Sequence, residues 1–217
     1  MRMVTPYKTF QAALRALDNG GRFYDLFAKA RDEKIAISEI SRLAGVFTSY
    51  SSAFLFFDLA IYQLSPREKH RLVSSFSEFQ AAMYRANGPV HLTPSEIDNT
   101  GKAGSTAIVA GHIRHVERRE EFGGFIMMPM MAGSSSLPMM VPIYDQFDVY
   151  EVHDAQSQGL SGTLVATSRG SRFRGDAAVR LGGYLRALAF KDATRGRHKL
   201  YLETVYYTPI EGTGSTK

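Results

Sequence analysis

The sequence predicts an α+β protein: an N-terminal helical bundle of about five helices, followed by an antiparallel β-barrel or strongly curved sheet. Two observations support this class. Up to Ala86 the apolar residues recur at the three- and four-residue spacing of amphipathic helices. From Ser105 onward they come in short runs separated by glycine, and no helix-length periodic segment lies between the runs. That pattern is typical of antiparallel strands.

The change of pattern also predicts the domain organisation. A chain of 217 residues fits one large domain or two smaller ones. We expect a helical domain over residues 1–88, a linker rich in glycine and proline over 89–104, an antiparallel β domain over 105–212 and a disordered tail over 213–217.

Capping residues and apolar stripes place the helices. The fourth helix, Ala53 to Tyr62, is apolar nearly all round, which is typical of a helix in the middle of a bundle. The fifth begins with Ser65-Pro66-Arg67-Glu68, a capping box with proline at the first helical position, and its apolar stripe continues to Ala86. The expected helices begin near Thr5, Phe23, Ser38, Ala53 and Ser65.

Residues 37–52 resemble part of a DNA-binding motif. The segment Ile37-Ser38-Glu39-Ile40-Ser41-Arg42-Leu43-Ala44-Gly45-Val46 is similar to the first helix and turn of bacterial helix-turn-helix repressors. The resemblance implies a second helix that reads bases in the major groove. The segment that follows, Thr48 to Tyr62, contains no Arg, Lys, Asn or Gln to contact base edges. We therefore interpret the resemblance as coincidental.

Six strands are expected in the β domain, over residues 107–116, 124–131, 141–152, 163–167, 179–190 and 200–207. The segments Gly162-Thr163-Leu164-Val165-Ala166 and Ala178-Val179-Arg180-Leu181-Gly182-Gly183-Tyr184-Leu185-Arg186 resemble part of an OB-fold. There, glycine-kinked strands curl round a small barrel, and the resemblance extends loosely from Ile108 to Ile210. Because OB-fold proteins commonly bind single-stranded nucleic acid, the resemblance implies that function.

The excess of positive charge is local and is not a property of one half of the chain. The formal net charge is +5, and residues 169–199 contain nine Lys and Arg against two Asp. Such a local excess is a candidate contact surface for a polyanion, although a solvated strand face has the same composition.

Strand alternation places Arg180, Tyr184 and Arg186 on one face of their strand. Guanidinium groups beside an aromatic ring suit phosphate contact and base stacking, and cross-strand aromatic packing is the alternative. In the last strand, Tyr201 and Tyr207 are expected to share a face and to extend the platform. The predicted nucleic-acid-binding residues are Arg169, Arg172, Arg174, Arg180, Tyr184 and Arg186.

A methionine-rich segment, residues 125–142, contains six of the nine methionines. Its prolines restrict the expected hairpin to an edge or an irregular ladder. Flexible thioethers suit an adaptable contact surface for a protein partner or a second copy, and a buried strand pair is the alternative. Copper(I) is not expected, because neither cysteine nor a nearby histidine supports the thioethers. The predicted interface residues are Met127, Met128, Met130, Met131, Met139 and Met140.

Enzyme chemistry is not indicated. The chain has no cysteine, its six histidines are scattered, and neither a P-loop nor a Gly-x-Ser-x-Gly elbow occurs. Sequence motifs do not reveal an active site that is assembled from residues distant in sequence. We expect no cofactor, no metal and no membrane partner, and a cytoplasmic location, because no secretory signal is recognisable. The expected function is a non-enzymatic binding module for single-stranded nucleic acid; the alternative is a protein-interaction or assembly component without a nucleic-acid role.

Overall fold

The computed structural model describes residues 1–21, 28–45, 49–132, 135–154, 162–168, 173, 178–187 and 199–210, and over residues 117–146 it describes the backbone alone. Within these ranges the helices come first and the C-terminal part is a closed five-stranded β-barrel. The predicted α+β class, with a barrel in the second half, is confirmed.

The first helix begins later than predicted. Thr9, not Thr5, is its cap, because the Thr9 hydroxyl accepts a hydrogen bond from the Ala12 amide at 3.2 Å. The helix expected near Phe23 falls mostly outside the described residues. Six α-helices lie within the described residues: α1 (Phe10–Leu17), α2 (Ile37–Ala44), α3 (Tyr50–Ile61), α4 (Pro66–Ser74), α5 (Glu78–Asn87) and α6 (Ile97–Thr100).

The predicted fifth helix is two helices, α4 and α5. Its start is confirmed, because Ser65 and Glu68 form the expected capping box. Ser77 then caps a second helix, and the side chain of Gln80 accepts a hydrogen bond from the Ser77 amide at 3.2 Å. Because this second capping box satisfies the free amides of a new helix start, the chain turns here instead of continuing straight.

Helix α3 lies at the centre of the helical part. Every residue from Ser52 to Ile61 is buried, and the rings of Phe54 and Phe57 meet Tyr84 of α5 edge-on, with centroids 5.1 and 5.9 Å apart. Gly45 makes the preceding turn with a left-handed φ of 70°. A helix buried at successive positions all round presents no face to a DNA groove. The resemblance to helix-turn-helix repressors therefore ends at the turn.

Five strands close the barrel. Around the ring their order is β3-β4-β5-β7-β6, and β6 pairs back with β3. Neighbours in the ring are antiparallel except β5 and β7, which are parallel. Outside the ring, β1 adds in parallel to β7 and β2 adds in parallel to β3. The seven strands within the described residues are β1 (Arg2–Met3), β2 (Val90–Leu92), β3 (Thr106–Ala132), β4 (Ser135–His153), β5 (Gly162–Ser168), β6 (Ala178–Ala187) and β7 (Leu200–Pro209).

The strand predictions are confirmed apart from one pair of strands that is continuous and one strand that starts earlier, and residues 188–190 of the strand expected over 179–190 lie outside the described residues. The strands expected over 107–116 and 124–131 form one continuous strand, β3, with register shifts after His115 and Phe122. β4 begins at Ser135 rather than at residue 141. A bulge bends a strand without ending it, so the glycines near residue 124 mark an irregularity instead of a turn.

The segment expected as a linker, residues 89–104, contains structure that joins the barrel. After β2, a 3₁₀ turn leads into α6, and Ile97 is completely buried in the apolar cluster that fills the barrel. The Asp98 carboxylate accepts hydrogen bonds from two amides at the start of β7, at 2.8 and 3.0 Å. The division of the chain into two domains stays a prediction.

The helices and the outer wall of the barrel share one apolar cluster. Ile108 of β3 and Tyr206 of β7 are buried among the helix residues, and the Tyr206 hydroxyl donates to the Ala44 carbonyl at 3.1 Å. A second cluster, which includes Val165 and Leu202, fills the barrel interior. α3 therefore packs directly on the barrel wall.

Candidate functional site

The two predicted faces of β6 are confirmed. Arg180, Tyr184 and Arg186 lie on the outer wall of the barrel, where the first two are half-buried and Arg186 is exposed. The residues of this strand that point into the barrel cluster are Val179, Leu181 and Leu185.

Helix α3 covers the middle of that outer face. A Cβ atom on Gly182 would lie 2.9 Å from Leu59 Cδ1, so the missing side chain lets the helix lie directly on the strand. At the N-terminal end of α3, the Ser52 hydroxyl lies 2.6 Å from the Tyr184 hydroxyl. This contact holds the ring of Tyr184 at the N-terminal end of α3, where β6 extends beyond the helix.

Arg180 lies at the opposite end of α3. Its guanidinium carbon is 4.5 Å from the centroid of the Tyr62 ring, just after the last residue of the helix. Arg186 instead lies over the Tyr184 ring, at 5.6 Å. At about 3.3 Å per residue, the two arginines are about 20 Å apart along the strand. The structure therefore brings Tyr184 and Arg186 together and places Arg180 elsewhere.

A row of outward residues winds round the barrel from Arg186, with one residue on each of the five strands. Residues directly opposite one another on paired strands lie on the same side of a sheet. Arg114 and Arg186, at the two ends of the row, are exposed, and the residues between them are half-buried. In strand register from Arg186, the successive neighbours are Tyr201, Leu164, Glu151 and Arg114. We call these five residues the outer row.

Carboxylates pair with both arginines of the outer row. Arg186 Nε donates to Glu203 Oε2 at 2.7 Å, and Arg114 Nη2 donates to Glu151 Oε2 at 2.9 Å. The hydrogen bond and the negative charge of Glu203 raise the pKa of Arg186 above its ordinary value. Partly exposed ion pairs contribute at most about 1 kcal/mol. A phosphate that displaces either carboxylate therefore loses little free energy in the exchange.

A bulge interrupts the expected tyrosine face of β7. Opposite the double glycine of β6, β7 has one extra residue, Val205, which reverses the alternation of its side chains. Tyr201 lies in the outer row, whereas Tyr207 packs against the cluster inside the barrel. The prediction that Tyr201 and Tyr207 share a face is therefore wrong.

Sequence analysis missed three residues of the outer row, Arg114, Glu151 and Leu164. Each alternates with a buried neighbour (Ile113, Val152 and Val165), so its outward position is available from the pattern of the strand. The pairing that aligns them with Arg186 joins strands far apart in the chain, and no local pattern gives that register. The predicted residues Arg169, Arg172 and Arg174 lie outside the described residues, and their role stays a prediction.

The methionine-rich segment forms a two-stranded arm. β4 pairs with β5 only over residues 147–153, whereas its pairing with β3 continues to the tip at residues 132 and 135. Residues 120–132 and 135–146, which we call the arm, therefore pair only with each other within the described part of the chain. At about 3.3 Å per residue the arm is about 40 Å long. All six predicted interface methionines are in it, and their contact role stays a prediction: Met127, Met128, Met130, Met131, Met139 and Met140.

One polar cluster, centred on the buried Asp58, was not predicted. Asp58 of α3 accepts a hydrogen bond from the Tyr84 hydroxyl, and His91 Nε2 lies 3.2 Å from Asp58 Oδ2. Burial, followed by the charge of Asp58, raises the pKa of Tyr84. The cluster links α3, α5 and β2, and a single Asp in an apolar helix gives no sequence signal for its partners.

Within the described ranges, no three His, Asp or Glu side chains converge as a metal site. Of the helices that the structure describes, none is both long and apolar enough to cross a membrane. No protein-family model matches the sequence, and no curated protein matches it. The functional assignment therefore rests on the outer row, the arm and the charge of the chain.

Proposed function

We propose that this protein binds single-stranded nucleic acid on the outer wall of its barrel, with Arg114 and Arg186 contacting phosphates. The observation that carries the proposal is the outer row, in which an exposed arginine stands at each end and Tyr201 and Leu164 lie between. Proteins that bind single strands combine cations that follow the backbone with apolar or aromatic surfaces that contact bases. Tyr184 supports the guanidinium of Arg186 from below.

The strand order supports an OB-like assignment. Counted along the chain, the five barrel strands run one, two, three, five, four around the ring. This order is compatible with the Greek-key barrel of OB-folds, whose ligands contact strands two and three and the loops that join strands one to two and four to five. Here those strands are β4 and β5, which contribute Glu151 and Leu164 to the outer row, and those connections are the arm and residues 188–199.

The charge distribution supports a polyanionic ligand. The connection over residues 188–199 has four Lys and Arg against one Asp, and it follows the end of β6 at Ala187, one residue after Arg186. Its last residue, Lys199, is exposed. Positive potential beside the outer row attracts phosphates and accelerates association. We assign further phosphate contacts to Arg169, Arg172 and Arg174, in the connection between β5 and β6.

Fluorescence anisotropy of a labelled oligo(dT) at low salt tests this proposal. We expect Arg114→Gln and Arg186→Gln each to weaken binding about fivefold, corresponding to about 1 kcal/mol for one exposed phosphate contact. Glu203→Gln should strengthen binding, because it removes the carboxylate that competes with phosphate. Lys34→Met, at an exposed lysine before α2, is the matched control and should leave the affinity unchanged. Failure to bind any DNA or RNA oligonucleotide at low salt would exclude the proposal.

We propose protein association through the arm as a second function, because one observation favours it specifically. Residues 122–144 contain no charged residue, and four successive strand pairs, from Phe125–Pro142 to Met128–Met139, are apolar. Successive pairs occupy opposite faces of a ribbon, so both faces of the arm are apolar over this length. A two-stranded ribbon is marginally stable alone in water, and an apolar ribbon of this length favours a surface that a partner covers.

Sedimentation velocity tests the second function. Replacing Met130 and Met139 with serine should abolish association and leave the circular dichroism spectrum unchanged. Association through the arm should persist at high salt, because apolar contacts are not screened. A strictly monomeric protein whose arm methionines resist mild peroxide oxidation would contradict this function, because buried thioethers are protected.

A further inference from the structure

The two faces of the arm differ in composition. Residues opposite one another in a strand pair lie on the same face, and successive pairs alternate between the faces. The register has no shift from the Gly124–Ile143 pair to the tip, so this assignment is unbroken. The face that contains all three prolines of this stretch, which we call the proline face, holds Phe125, Met127, Pro129, Pro138, Met140 and Pro142. The other, which we call the proline-free face, holds Ile126, Met128, Met130, Leu137, Met139 and Val141.

The prolines also hinder the addition of a further strand at the edges of the arm. Pro129 and Pro138 are directly opposite one another, and the ladder continues on both sides of them. Because proline has no N–H, an unbroken ladder requires that the backbone nitrogens at this level point out of the ribbon. Pro142 is four residues from Pro138 and therefore lies at the same kind of level. A strand added at either edge would lack donors there, so a face of the arm is the better surface for a partner.

The chain itself has little apolar sequence left to cover the arm. Within the described residues, the arm pairs with no other strand. In the C-terminal half, the segments outside the described residues are 155–161, 169–172, 174–177, 188–198 and 211–217. Their large apolar residues are Leu160, Leu188 and Phe190, and the other residues are polar, charged or small. A separate molecule is therefore the better source of an apolar cover for the six aliphatic residues of the proline-free face.

We propose that this molecule is a second copy of the chain, and that two arms pack through their proline-free faces with their tips pointing in opposite directions. Such a dimer presupposes the second proposed function, association through the arm, and adds the partner, the face and the orientation. At about 100 Å² for each buried aliphatic residue, six residues from each copy bury about 1,200 Å² in total, which reaches the range of specific, stable interfaces.

The proline-free face is self-complementary in this orientation. A two-fold axis at the level of Met128 and Met139 places each of these methionines opposite its own copy. The levels on either side of the axis exchange, so that Ile126 of one copy lies opposite Met130 of the other. The second strand follows the same rule, and an aliphatic residue meets an aliphatic residue at each of the three levels.

Charge at the base of the arm favours opposed tips. Residues 117–121 and 145 carry four Asp and Glu against two Arg, a net charge of −2, whereas residues 122–144 carry no charge. Arms whose tips point in the same direction would bring these two negative bases together. With opposed tips, each base lies beside the uncharged tip of the other copy, and the two barrels lie at opposite ends of the pair.

Thiol cross-linking tests the proposal, because the chain has no cysteine and an introduced cysteine is its only thiol. The wild type should sediment as a dimer at micromolar concentrations. Met128→Cys, at the centre of the proline-free face, should form a covalent dimer with a short bis-maleimide. Met127→Cys, the next residue along the strand but on the proline face, is the matched control. It should cross-link at least about tenfold more slowly, because its thiol is not held near a second one.

A further pair of variants tests the orientation. With opposed tips, Ile126 lies about 13 Å along the arm from its own copy, so Ile126→Cys should not cross-link to itself through the short reagent. A mixture of Ile126→Cys and Met130→Cys should instead give the mixed covalent dimer. Self-cross-linking of Ile126→Cys without the mixed dimer would overturn the opposed orientation.

The outcomes separate this dimer from the broader function of the arm. A dimer that cross-links through Met127→Cys and not through Met128→Cys would overturn the choice of face and leave association through the arm intact. A dimer that persists when Met130 and Met139 are both serine would place the interface elsewhere and contradict both. A wild type that is monomeric at micromolar concentrations would overturn the second copy as the partner. Circular dichroism verifies that each variant is folded.

Discussion

Removing the hydroxyl of Tyr184 should weaken the fold without weakening ligand binding. This hydroxyl lies 2.6 Å from Ser52 Oγ and 3.4 Å from Ser49 Oγ, so it links the barrel wall to α3. Ser52 is only 5% exposed, so water cannot replace the lost partner freely. A hydrogen bond whose remaining partner stays buried costs about 1–3 kcal/mol to break. Ser49 Oγ still accepts its hydrogen bond from the Ser52 amide, so the loss falls mainly on Ser52 Oγ, and we expect Tyr184→Phe to lower the free energy of unfolding by about 1–2 kcal/mol.

Urea denaturation followed by circular dichroism measures this loss, and a double-mutant cycle isolates it. Tyr184→Phe and Ser52→Ala should each be destabilising. The double variant should be less destabilised than the sum, with a coupling energy of about 1 kcal/mol, because either change breaks the same bond. Tyr50→Phe is the matched control, since Tyr50 is 40% exposed and, of the rings in the described residues, its ring contacts that of Phe54. Its stability should stay within about 0.5 kcal/mol of the wild type.

Binding distinguishes the ring of Tyr184 from its hydroxyl. Tyr184→Phe keeps the ring beneath Arg186, so oligonucleotide affinity should stay within about twofold of the wild type. Tyr184→Leu removes the ring and should weaken binding. Additive destabilisation in the cycle, or a loss of affinity in Tyr184→Phe as large as that in Tyr184→Leu, would refute the reasoning.

Three further predictions concern the barrel and its contact with the helices. Ile97→Ala should lower the free energy of unfolding, measured in urea, by about 2–5 kcal/mol, because Ile97 is fully buried inside the barrel. If residues 89–104 were only a linker, the same substitution would change the free energy of unfolding by less than about 0.5 kcal/mol. Gly182→Val should cost about 1–3 kcal/mol by forcing Leu59 and Leu55 away, and Gly182→Ala should cost less, because only flexible side-chain ends must move. Burial raises the pKa of Tyr206 to about 12, whereas an unfolded tyrosine ionises near 10. The stability that the fold gains from keeping Tyr206 neutral is complete below about pH 10 and is lost as the pH rises towards 12. Tyr206→Phe should therefore make the free energy of unfolding less sensitive to alkaline pH.

The features that could be predicted are those that neighbouring residues determine. The capping box at Ser65, the all-round burial of α3 and the alternation along β6 each follow from spacing within one element. Each is set by hydrogen bonds between residues close in sequence or by the side-chain period of the helix or strand. Residue type and spacing reveal both of these in the sequence.

The features that could not be predicted depend on contacts between distant segments. The extra residue at Val205 is recognisable only in the pairing of β7 with β6. Gly182 suggests a bend in a strand, whereas the structure shows that it accommodates α3. That helix separates Arg180 from Arg186, and strand pairing across the barrel aligns Arg186 with Arg114. Alternation within one strand contains neither kind of information.

The salt dependence of oligonucleotide binding tests the central claim most directly. For a single strand, the logarithm of the association constant falls with the logarithm of salt concentration by about 0.7 for each phosphate neutralised. If Arg186 neutralises one phosphate, Arg186→Gln should reduce the magnitude of this slope by about 0.7, and Lys34→Met should keep the wild-type slope. Equal slopes in the wild type and Arg186→Gln, or binding by the wild type that does not change with salt, would contradict the claim that the outer row is a nucleic-acid interface.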